Sequence, residues 1–167
     1  MARLLGGAAV ILSLLTVQAV SADTRPTPPP HPLSALLGTW DGNSEDGRFL
    51  RITYQFTANG TALVEIISPE NEPNMTSLYY VDGHHLMLTH YCSLGNQPRM
   101  VADLPRGTVT RVVFAFLDAT NLASPTDPHM HKLILTTQDM DHMTQIWTLS
   151  EDGRETTHIF TLVRQPS

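Results

Sequence analysis

"HMHKLILTTQDMDHMTQIWTLSEDGRETTHIFTLVR", residues 129–164, consists of β-prone runs cut by two compact turn signals, "DMD" at 139–141 and "EDG" at 151–153. Runs rich in Ile, Leu, Thr and Trp, divided by Asp and Gly, read as antiparallel strands joined by hairpins. In "HMHKLIL", Lys132 needs water. Met130, Lys132 and Ile134 are therefore expected to face out, and His129, His131, Leu133 and Leu135 to face in.

The same pattern continues toward the amino terminus, with turn signals "EDG" at 45–47, "NG" at 59–60, "DG" at 82–83, "LGN" at 94–96 and "PRG" at 105–107. Ten strands are predicted, at 38–44, 48–58, 61–68, 75–81, 85–91, 97–103, 110–117, 129–138, 142–149 and 154–164. Short links between successive strands imply a meander, and a meander this long closes on itself because closure removes exposed edges. The expected fold is all-β: an up-and-down antiparallel β-barrel of about ten strands. A short helical turn in "LSALLGTW" (33–40) precedes it, and residues 33–167 form the single domain.

Residues 1–22 combine Arg3, an apolar run and the small residues Ser21 and Ala22, which is the pattern of a signal peptide cut after Ala22. The protein is therefore expected to be secreted or periplasmic, with no membrane span in the mature chain. "DTRPTPPPHP" (23–32) reads as a proline-rich extended leader. The chain's one cysteine, Cys92, excludes an intrachain disulfide, so stability rests on a hydrophobic core. A net charge of −6 without a basic run argues against nucleic acid as a partner. "NGT" at Asn59 and "NMT" at Asn74 match glycosylation acceptors, meaningful only in a eukaryotic secretory route.

"GTW" at 38–40 opens the first strand after a helical turn and resembles the Gly-x-Trp signature of lipocalins and other calycins. In that superfamily an arginine on the last strand packs over the tryptophan, and "FTLVR" supplies Arg164. The resemblance implies that Trp40 and Arg164 close one end of the barrel. It also implies that a small apolar or amphipathic molecule is bound inside. Length and strand count are similar to the nitrobindin-like and fatty-acid-binding branches. The other lipocalin stretches, the lipocalin disulfide pair, and the glycine-rich opening and Tyr-Pro of nitrobindins are missing, so haem is not implied by the resemblance.

With Trp40 and Arg164 at the bottom, alternation places residues 90–99 of "LMLTHYCSLGNQPRM" (86–100) and the start of "HMH" at the top. Glu65, His90, Tyr91, Gln97, Arg99, His129, His131 and Trp147 are the candidate ligand-binding residues, and His158 joins the same end. Leu86, Leu88 and His90 are expected to share the inward face, as are Leu63, Glu65 and Ile67. Apolar walls are expected from Leu50, Ile52, Tyr54, Phe56, Phe114, Phe116, Leu133 and Leu135.

Arg99 either grips a ligand carboxylate or forms an ion pair with an acid such as Glu65. His129, His131 and His90 are the candidate metal ligands, since imidazoles two apart on one strand face can chelate a transition metal or haem iron. His142, at the opposite end of its strand, is excluded from that group. The cofactor stays open, and a small enzyme with a histidine general base is a further alternative. Cys92 reads as a small buried side chain and not as a nucleophile.

Overall fold

The first strand begins at a backbone angle that only glycine adopts without strain. In the computed structural model, which describes residues 30–105, 107 and 109–166, Gly38 has φ +112°. A Cβ there would also press to 3.4 Å from an Arg164 guanidinium nitrogen. The signal peptide read in residues 1–22 and the leader up to residue 29 lie outside the described residues.

The strands are β1 (Gly38–Ser44), β2 (Phe49–Thr57), β3 (Ala62–Pro69), β4 (Met75–Asp82), β5 (His85–Tyr91), β6 (Gln97–Asp103), β7 (Arg111–Thr120), β8 (His129–Thr137), β9 (His142–Glu151) and β10 (Arg154–Arg164). Each pairs antiparallel with its neighbours in sequence, and β10 returns to β1, so the sheet is a closed ten-stranded barrel. Among the described residues helix is confined to single 3-10 turns, Ser34–Leu36 where the sequence predicts one and Ala58–Gly60 in the β2–β3 link. No helix among the described residues is long and apolar enough to cross a membrane.

β7 and β9 run past their expected ends for separate reasons. β9 continues to Glu151, which pairs with Arg154 across Asp152 and Gly153. Both of those residues have positive φ, the tight hairpin turn whose twist suits the flanking strands. β7 continues to Thr120 because Asp118 and Thr120 pair with Arg99 and Gln97. Between Asp118 and Phe116 the register jumps, leaving Leu117 as an extra residue.

The barrel closes at the end where β1 starts and β10 finishes. Trp40 and Arg164 are register partners, and the indole is fully buried. The Arg164 carbon Cζ stands 4.1 Å from the ring centroid. The guanidinium donates to the carbonyls of Ala35, Leu37 and Met140, while the indole Nε1 donates to Leu36 O at 2.8 Å. One cation thus ties β10, the amino-terminal 3-10 turn and the β8–β9 link around one aromatic ring. His31, read from the sequence as leader, is seated at this end, with Nε2 3.2 Å from Tyr79 O and its ring edge-on to Phe56 at 5.9 Å.

Above the plug, Ile52, Leu63, Phe114, Leu133 and Leu162 fill the barrel axis, each without measurable exposure. On the closing seam, a Cβ at Gly42 would fall 1.9 Å from Thr161 O, so the two strands approach only because that side chain is absent. Trp40→Ala should cost about 3–5 kcal/mol in urea unfolding, the usual range for emptying a buried aromatic site. Gly42→Ala, which removes no contact, should also lower the melting temperature by forcing the β1–β10 seam apart.

Candidate functional site

At the other end the barrel is hollow. A cavity of about 430 Å³ opens between the β1–β2, β3–β4 and β5–β6 links and the upper parts of β8, β9 and β10. Leu50, Ile67, Met75, Met130, Trp147 and Phe160 make its apolar wall, with His90, Cys92 and His158 among the polar members. The rim carries Glu45, Asp46, Glu72 and Arg48. Arg48 bonds Asp46 through Nε at 2.7 Å and also bonds Glu72, so its charge is already engaged.

His90 is the most confined polar group on this wall, with 1 % of its surface exposed. Period-two alternation turns it inward with Leu86 and Leu88, as the sequence predicts. Its Nδ1 meets Ser77 Oγ at 3.0 Å and its ring lies 4.6 Å from that of Trp147, whereas Nε2 has no hydrogen-bond partner. Burial lowers its pKa to about 4, so the imidazole is neutral at physiological pH.

Beneath the cavity lies a polar cluster centred on Glu65, which is fully buried. Its Oε1 accepts from Tyr54 OH at 2.6 Å and from Gln145 Nε2 at 2.5 Å, and its Oε2 accepts from Tyr79 OH at 2.9 Å. An enclosed carboxyl group is costly unless its oxygens are bonded in this way. Burial, then the Glu65 charge, push both tyrosine hydroxyls well above their ordinary pKa. The bonds of the Gln145 amide nitrogen fix the direction of its carbonyl, which accepts the Trp147 indole N–H at 2.7 Å. Glu65 therefore orients Trp147 through Gln145 and does not itself line the cavity.

Several expected site residues lie elsewhere. In β6 the buried residues are Pro98, Met100 and Ala102, which turns Gln97 and Arg99 outward. Arg99 pairs on the outer surface with Asp118 (Nε to Oδ1, 2.6 Å), not with Glu65 and not in the mouth, and Gln97 accepts from Thr120 at 2.6 Å. Tyr91 is 47 % exposed on the outside of β5. Arg99 and His131 therefore do not converge on one cavity.

The inward pattern expected for His129 and His131 is broken by a bulge. Met130 pairs with Leu149 and Lys132 with Thr148, leaving His131 as the extra residue. Met130, expected outside, becomes the cavity residue. His129 Nδ1 bonds Asp127 O at 2.7 Å, its Nε2 faces His131 Nδ1 at 3.3 Å, and both rings pack on Phe116 at 4.6 and 4.9 Å. Neither is part of the cavity lining that contains His90, so the three candidate metal histidines are not brought together. Among the described residues no three His, Cys, Asp or Glu side chains are grouped to hold a metal ion.

Of the expected apolar walls only Leu50 lines the cavity. Ile52, Tyr54, Phe114, Leu133 and Leu135 are buried below it, and Phe56 is 38 % exposed near the plugged end. Cys92 is buried at the rim of the cavity, and burial pushes its thiol pKa up, away from a reactive thiolate. Asn59 and Asn74 are both exposed. Sequence reasoning missed Ser77, Tyr79 and Gln145; the signal was the placing of polar groups at period two among inward residues of β4 and β9.

No protein-family model matches the chain. No curated protein matches it either. A solved structure does: the crystal structure of a protein of unknown function from the DUF3598 family, from Nostoc punctiforme PCC 73102, superimposes with a TM-score of 0.55 at 15 % identity over 83 % of this chain. The match covers 51 % of that protein, so this chain spans about half its length. At such identity the likeness concerns the fold alone.

The His90 environment yields a pH dependence. The folded protein holds the ring neutral down to about pH 4, whereas the unfolded chain takes up its proton near 6.5. Stability should therefore fall as pH drops from about 6.5 to about 4, by about 3 kcal/mol from this residue. His31, whose pKa burial also lowers, acts in the same direction. Urea unfolding across this range should show a clearly shallower slope in His90→Phe than in the unsubstituted protein.

Proposed function

We propose that this protein is a calycin-like barrel that binds a small apolar or amphipathic molecule, without chemical conversion, in the cavity at the barrel mouth. The observation that carries the reading is a 430 Å³ hollow with an apolar wall, in which the buried His90 keeps one ring nitrogen unpartnered. Natural cores leave few such atoms. Ligand sites are commonly concave, mainly apolar and equipped with a few polar groups, and this cavity has that composition. The stacked Trp40 and Arg164 support the calycin assignment. The apolar amino-terminal run with its small-residue end supports export to the periplasm or the cell exterior.

Trp147 forms part of the wall, while the chain's second tryptophan, Trp40, is sealed at the opposite end. A ligand entering the mouth should change the emission of Trp147 alone. Titration with medium-chain alkyl alcohols should give a saturable signal that disappears in Trp147→Phe. Met130→Trp, which fills the cavity from a partly exposed position, should abolish binding and leave the melting temperature nearly unchanged. Unaltered binding in that variant would place the ligand elsewhere and defeat the reading.

A further inference from the structure

Of the three histidines read from the sequence as metal ligands, two are brought together. His129 and His131 flank Met130 in β8, and the bulge that makes His131 the extra residue leaves both imidazoles packed on Phe116, apart from the cavity lining. The Asp127 carbonyl can only accept, so the Nδ1 that meets it at 2.7 Å carries the His129 ring hydrogen. In the neutral ring Nε2 is then a lone pair, and it faces the Nδ1 of His131 at 3.3 Å. The segment that holds His129 is itself fixed. The Asp127 carboxylate accepts from the Ala123 and Ser124 amides at 2.8 and 3.0 Å, and Asn96 Nδ2 donates to Pro128 O at 2.8 Å.

We propose that His129 Nε2 and His131 Nδ1 form a two-histidine site for a divalent transition-metal ion. Two ring nitrogens bound to one tetrahedral ion at about 2.0–2.1 Å stand about 3.3–3.4 Å apart, and this pair already has that separation. Metal-bound histidines commonly give their other ring N–H to a backbone carbonyl, which fixes tautomer and orientation, as His129 does with Asp127. The hydrogen between the facing nitrogens belongs to His131 Nδ1, since His129 Nε2 accepts. On capture of an ion it moves to His131 Nε2, both facing lone pairs go to the metal, and no net proton is released. His131 lies nearly flat on Phe116, at 21°, so it can turn in its own plane toward the ion without losing that stack.

No third His, Cys, Asp or Glu joins the pair among the described residues, so the remaining positions on the ion fall to water. The adjacent cation, Lys132, is paired with Glu155 at 3.8 Å. Imidazole donors suit zinc, nickel and copper, with copper bound most tightly, whereas magnesium and calcium require oxygen. The ligand class is therefore an exchangeable borderline ion held by two protein donors.

Zinc titration of the protein, followed by nitrogen-15 NMR of the imidazoles, tests the site. His129 Nε2 and His131 Nδ1 should shift together along one saturating curve, and magnesium should shift neither. His131→Ala should weaken the response of His129 by at least about tenfold, a cost that even a lost outer-shell partner commonly carries. His131→Phe, which keeps an aromatic ring against Phe116 and removes both nitrogens, should do the same, so a folding defect in one variant leaves the other to decide. Saturating zinc should also raise the melting temperature of the unsubstituted protein by more than that of either variant. A shift confined to one ring, an unchanged pair at millimolar zinc, or the same His129 curve in His131→Phe overturns the site. None of these outcomes bears on the cavity reading, because neither histidine lines the cavity.

Discussion

The contact between Arg164 and Trp40 is where a linear meander becomes a closed surface. A strand at the end of a sheet exposes a row of unpaired amides and carbonyls, and here the first and last strands satisfy each other. Backbone pairing alone would leave the bottom of the barrel open to water. The guanidinium covers the indole and collects three carbonyls from segments that would otherwise end in solvent. Cation–π attraction adds about 0.5–2 kcal/mol, but its wider effect is geometric. It fixes the register of β10 on β1, and through the chain of hairpins the positions of all the other strands.

Once that end is sealed, the interior divides by chemistry. Apolar side chains occupy the axis above the plug, and the next layer is polar, with Glu65 bonded to two tyrosines and a glutamine. Such a cluster contributes less net free energy than a packed apolar layer would, because each group first loses its water. What it contributes is orientation. Trp147 is held by its N–H and His90 by its Nδ1, so the wall of the cavity is set before anything enters it.

The strands were legible in the sequence because turn chemistry is local: Asp-Gly, Asn-Gly and Leu-Gly-Asn mark the reversals whatever the barrel does. Inward faces were legible where a strand is regular, as in β5, where Leu86, Leu88 and His90 point in together. They were lost where an extra residue intervenes. The bulge at His131 reverses the side on which Met130 lies, and no local propensity marks it, since a bulge arises from the mismatch of two partner strands. Arg99 was misplaced for another reason: strand direction gives the end of the barrel at which a residue lies and not its face, and the face follows from Pro98, Met100 and Ala102 alternating with Gln97, Arg99 and Asp103. The polar cluster was half visible, in Glu65, and its partners come from strands distant in sequence.

The solid half and the hollow half of this barrel answer to different demands. Ile52, Leu63, Phe114, Leu133 and Leu162 are enclosed on every side, and a change of volume there is felt throughout the fold. Met75, Met130, Leu149, Ile159 and Phe160, around the opening, are only partly enclosed, so exchanging them disturbs few neighbours. Variation can therefore accumulate at the mouth without eroding the scaffold beneath it. A lineage carrying this barrel could change the shape and chemistry of its cavity many times over while still folding by way of the same plugged end.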